Sequence, residues 1–105
     1  MGPVFCIWLK RYRENNGLTQ EQMARAYMIA VRSYVDLEHG DSFPSGLTFA
    51  MFITFLSKEE QKAFLADIKA EIEKVRYEYY VAMNPKIYEQ YRRLFETDNL
   101  EEDVL

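Results

Sequence analysis

The sequence predicts an all-α protein, and three observations carry that expectation. Apolar side chains recur at spacings of three and four along most of the 105 residues, the period of a helix with one buried face. Helix stop and start signals follow one another at short intervals. The two-residue alternation of a half-buried strand is nearly absent. Composition agrees: 49% of residues are hydrophobic and 15% aromatic, with eight Tyr and seven Phe. That is enough for one small domain with a real core, and it argues against disorder over most of the length.

The elements follow in chain order. Residues 3–15 place Phe5, Trp8, Leu9 and Tyr12 on one face, with Lys10, Arg11, Arg13 and Glu14 opposite. "NNG" at 15–17 stops this helix, with Gly17 free to turn left-handed. Thr19 starts a second helix, expected to run to Tyr27. Gln22, three residues on, completes a capping box, and Leu18 and Met23 have staple spacing. A third helix is expected over Val31–Glu38 and ends at Gly40, followed by the turn-rich "GDSFPSG" at 40–46. A fourth, from Ser45 to Leu56, buries Phe49, Phe52, Ile53 and Leu56. "SKEE" at 57–60 is a second capping box and opens the longest helix, which extends to Met83 before the breaker "NP" at 84–85. A short helix over 86–95 presents Ile87, Tyr88, Tyr91, Leu94 and Phe95, and 96–105 reads as a frayed acidic tail.

Several function classes are excluded on this reading. The single Cys6 has no partner for a disulfide, so it reads as a buried small hydrophobe in a reducing compartment. The run "PVFCIWL" is too short for a secretion signal, "MGPVFC" lacks the residue a myristoylation site needs, and no run approaches a membrane span. The protein is therefore expected to be soluble and cytoplasmic. One His, one Cys, no glycine-rich phosphate loop and no clustered ligands leave no catalytic residues, no metal site and no cofactor to assign. An enzyme is not expected.

The net charge of −4 is unevenly shared. Residues 1–56 hold five basic and five acidic side chains, while 57–105 hold eight and twelve. A neutral head and an acidic remainder lack the broad basic footprint of most nucleic-acid binders.

The stretch "LTQEQMARAYMIAVRSYVDLEHG" at 18–40 nevertheless sets two short helices across a tight turn. With "LKRYRENNGLTQEQMA" at 9–24 and "PSGLTFAMFITFL" at 44–56, it resembles the phage-repressor (Cro-like, XRE-type) helix-turn-helix family over residues 5–56. The resemblance implies a five-helix repressor-type DNA-binding bundle, here followed by a long C-terminal helix and a short terminal helix. It also implies that the third helix lies in the DNA major groove. The candidate DNA-binding residues carried over are Thr19, Gln20, Val31, Arg32, Ser33, Asp36 and His39. Gln20 would hold a phosphate at the head of helix two. Arg32 would read guanine, Val31 a thymine methyl, Asp36 a cytosine amino group, and His39 would touch backbone. Glu38 reads as structural, an acid at a helix end bonding nearby backbone or an Arg.

Departures from the family pattern are local. Met28 stands at the turn position where Gly with positive φ is common. Ala30 replaces a capping Ser or Thr. Val31 and Val35 replace polar groove-facing residues, and helices two and three carry two Arg against Glu21, Asp36 and Glu38.

On the long helix Leu65, Ile68, Ile72, Val75 and Tyr79 form a narrow apolar seam expected to pair two copies of the chain; the alternative is that it packs on the bundle of its own chain. Residues 1–56 thus read as the helix-turn-helix domain, 57–95 as a helical extension for dimerisation, and 96–105 as tail. The expected function is a DNA-binding transcriptional regulator, a repressor acting as a homodimer on double-stranded operator DNA. The alternative is a protein-interaction module on the same scaffold, antitoxin-like or polymerase-binding, whose protein partner covers Val31 and Val35.

Overall fold

A computed structural model describes residues 3–84 together with Lys86, Glu89, Gln90, Arg92 and Leu94. The described residues form α1 (Val4–Asn15), α2 (Gln20–Ala26), α3 (Val31–His39), α4 (Gly46–Phe55) and α5 (Lys58–Met83), with no strand among them. The protein is all-α with a long C-terminal helix, as the periodicity predicts. It divides into two compact units, Met1–Glu71 and Ile72–Leu105.

Within the first unit the helix starts are fixed by side chains. Thr19 Oγ1 accepts from the Gln22 backbone N–H at 3.1 Å, and Gln22 Oε1 accepts from that of Thr19 at 2.8 Å. Ser57 and Glu60 repeat this reciprocal pair ahead of α5, at 3.2 and 3.0 Å. Ser45 caps α4 through the Thr48 N–H. Each pair satisfies amide groups that a helix start leaves without partners. At the other end of α4, Gln61 Nε2 donates to the Ile53 and Leu56 carbonyls, at 2.8 and 3.3 Å.

Three helices stop in the same way. After α1, Gly17 N–H bonds the Glu14 carbonyl and Leu18 N–H the Arg13 carbonyl. Met28 and Ile29 repeat the pattern on Arg25 and Ala24, and Gly40 and Asp41 on Leu37 and Asp36. This pair of hydrogen bonds needs a left-handed residue at the turn. Gly17 (φ 64) and Gly40 (φ 78) adopt it at little cost, whereas Met28 (φ 58) adopts it with a side chain attached.

The core of the first unit joins all five helices through Phe5, Leu9, Met23, Ala24, Tyr27, Tyr34, Leu37, Phe52, Leu56, Phe64 and Ile68. Its centre is aromatic: Phe52 meets Phe64 at 5.1 Å and Phe5 at 5.4 Å edge to face, and Trp8 meets Phe64 at 5.5 Å. Such pairs add about 0.5–1.5 kcal/mol each beyond the area they bury. The Trp8 indole also donates to Asp67 Oδ2 at 2.9 Å, tying α1 to α5. The start of α5 is therefore the bundle's fifth helix: Phe64 and Ile68 lie in its core, and the same helix continues as the long one.

In the second unit, Asn84 Oδ1 accepts from the Lys86 N–H at 3.0 Å just past the end of α5. Of the short helix expected over 86–95, Lys86, Glu89, Gln90, Arg92 and Leu94 are helical. Ile87, Tyr88, Tyr91 and Phe95, and the tail 96–105, lie outside the described residues.

Candidate nucleic-acid interface

The two sides of α3 are built differently. Its inner side carries Tyr34, Leu37 and Glu38, all buried. Glu38 is the one acidic side chain in this core, and it is held by a fork. Arg13 Nε donates to Glu38 Oε2 at 2.9 Å, and Nη2 donates to Oε1 at 2.7 Å. Nη1 of the same guanidinium reaches the Leu18 carbonyl at 3.2 Å. One side chain thus fastens the end of α1, the α1–α2 turn and the end of α3.

Gln20 is half-buried at the head of α2 and turns its amide to Glu38 Oε1, at 3.5 Å. Burial pushes the Glu38 carboxyl up, but the Arg13 hydrogen bonds, with Tyr34, the Arg13 charge and Gln20, outweigh it and hold the group below the usual glutamate range. The same hydrogen bonds raise the Arg13 guanidinium. The Tyr34 hydroxyl faces this carboxylate but closes no bond of regular geometry, and the Tyr27 hydroxyl is buried without a partner. Burial raises both phenols.

The outer side of α3 begins with Val31, Arg32 and Ser33, all exposed. The Arg32 side chain is 89% exposed and lies 3.7 Å from Asp36 Oδ1, one turn on. Ala30, ahead of α3, offers no side-chain cap. His39 is exposed in the last turn of α3, and Thr19 is exposed while it caps α2. Of the candidate residues, Thr19 and Gln20 share the head of α2, and Val31, Arg32, Ser33 and Asp36 share the outer part of α3. His39 stands apart at the far end of α3. Val35, expected to face outward with Val31, is half-buried instead.

Residues 9–57 match the family model described as helix-turn-helix. The match spans just under half of the chain, and over those residues the chain is similar to a helix-turn-helix domain. No curated protein and no solved structure gives a significant match.

Sequence reasoning set Arg13 on the polar face of α1 and missed its place in this domain. The signal was present, because Phe5, Leu9 and Arg13 follow at steps of four and so share one helical face. Its engagement also changes the charge balance of α2 and α3. With Glu38 neutralised by Arg13, the remaining charges are Arg25 and Arg32 against Glu21 and Asp36. Lys10, Arg11 and Arg25 are the exposed cations at hand, with Arg11 lying 5.5 Å over the Trp8 ring.

In the long-helix seam, Ile68 lies in the core of the first unit, and Leu65 is partly exposed there. In the second unit, Ile72, Val75 and Tyr79 are exposed. Among the described residues no group of His, Cys, Asp and Glu could hold a metal ion, and no helix is long and apolar enough to cross a membrane.

Proposed function

We infer that the protein is a non-enzymatic transcriptional regulator, a repressor working in the cytoplasm as a homodimer on double-stranded operator DNA. The observation that carries this reading is the fork of Arg13 on Glu38, with Gln20 beside it. It fixes the head of α2 and the far end of α3 relative to α1 while leaving Val31, Arg32 and Ser33 outside. A reading helix needs that division, since base contacts tolerate little misplacement.

Gln20 and Thr19, at the amino end of α2, hold a phosphate beside amide groups that favour anions. Arg32 reads a guanine edge, Val31 packs on a thymine methyl, Ser33 and Asp36 read neighbouring bases, and His39 touches the backbone. Few cations are available to displace counterions, so affinity is modest and depends shallowly on salt. Within residues 57–95, the stretch beyond Ile68 pairs the two copies, setting the half-sites one turn of DNA apart.

A second reading has its own observation. Met28, at the turn, is 72% exposed and precedes the exposed Val31. An apolar patch at the head of α3 suits a protein partner, antitoxin-like or polymerase-binding. Selection from a random duplex pool at low salt separates the two. A palindrome with half-sites about one turn apart is the expected result. No enrichment, with the protein folded, would overturn the operator reading in favour of a protein partner.

A further inference from the structure

The homodimer proposed above leaves open how two copies meet, and α5 carries a charge pattern that answers it. In the second unit Ile72, Val75, Tyr79 and Met83 are exposed along one side of the helix, over about 17 Å of rise. At 100° per residue these four fall within a narrow stripe. Glu71 and Glu78 border the stripe on one edge. Lys69 and Arg76 border it on the other. Of the charges that flank the stripe most directly, the acids lie on one edge and the bases on the other, while Glu73 and Lys74 stand further round the helix.

We propose that α5 pairs with α5 of a second copy in parallel, stripe against stripe, with the acidic edge of each helix facing the basic edge of the other. Two helices running side by side in the same direction bring each left edge against the partner's right edge. Glu71 then faces Arg76 of the second copy, and the symmetry repeats the contact. Antiparallel pairing brings like edges together, setting acids against acids and bases against bases. Each such contact is unfavourable, so the pattern selects direction as well as partner. Parallel pairing also brings the two amino-terminal ends of α5 to the same end of the pair. Ile68 lies in the core of its own unit, so the pairing stripe begins at Ile72.

The test uses the full chain with Cys6→Ser, carrying either Ile72→Cys or Ala82→Cys, under mild oxidation. Parallel pairing predicts that each variant crosslinks to itself and that mixing the two adds little mixed product. Mixed product with little self-crosslinking would mean antiparallel pairing and overturn the proposal while leaving the homodimer intact. A monomer in sedimentation at tens of micromolar would overturn both. In the same background Glu71→Lys is expected to weaken association roughly tenfold, and adding Arg76→Glu to restore it. Equal association by all three chains would contradict the role assigned to these edges.

Discussion

The inner and outer sides of α3 use the same nine residues for opposite purposes. Inside, Tyr34 and Leu37 pack in the core, and Glu38 has at most 2% of its side chain exposed, in a two-pronged bond with Arg13. Outside, Arg32 extends into solvent with one loose neighbour at 3.7 Å. The inner side carries the folding energy and fixes orientation. The outer side is released from that duty, so its residue types are free to follow a ligand. Departures from the family pattern at Val31 therefore leave the fold untouched.

Substitutions should respect this division. The largest effect is expected inside, where Leu37→Ala leaves a cavity and lowers unfolding free energy by about 3–4 kcal/mol, read by chemical denaturation. Glu38→Ala follows at about 3 kcal/mol, because it leaves a guanidinium part-buried without its carboxylate. Adding Arg13→Ala should cost much less than a second independent loss, since the two act as one unit.

The same pair sets an acid limit. The folded Glu38 carboxyl is held below its ordinary value, so its contribution is complete above the unfolded pKa of about 4.3 and is lost as pH falls through the lowered folded one. Stability measured against pH should fall through that window, and Glu38→Gln should flatten the slope there.

Met28→Gly should move the other way, stabilising by roughly 1 kcal/mol, because the left-handed turn holds a side chain that is largely exposed. A loss of stability would mean that the Met28 side chain has a packing role. The smallest effect belongs to the outer side: Arg32→Ala should shift the melting midpoint by no more than about 0.5 kcal/mol equivalent.

Much of this was legible in the sequence. Both capping boxes and the glycine stops follow from local chemistry, which acts over three to five residues and so is written in adjacent letters, whereas the strained position at Met28 was legible only through the family resemblance. Arg13 was misplaced because charge alone suggests solvent, although its step of four from Leu9 set it inward. Val35 was set outward with Val31, yet it lies one turn further along a helix packed on one side and is half-buried. The seam on α5 reads as one continuous pattern in sequence. Where Ile68 leaves the core and the exposed stretch begins depends on how far the bundle reaches, which periodicity does not encode.

The most direct test of the division between the two sides is the double variant Gln20→Ala with Arg32→Ala. Its affinity for a selected operator duplex would be measured by fluorescence anisotropy alongside its melting curve. DNA binding is expected to be lost while melting changes little. Undiminished binding by the folded double variant would contradict that division, and would move the reading surface away from the heads of α2 and α3.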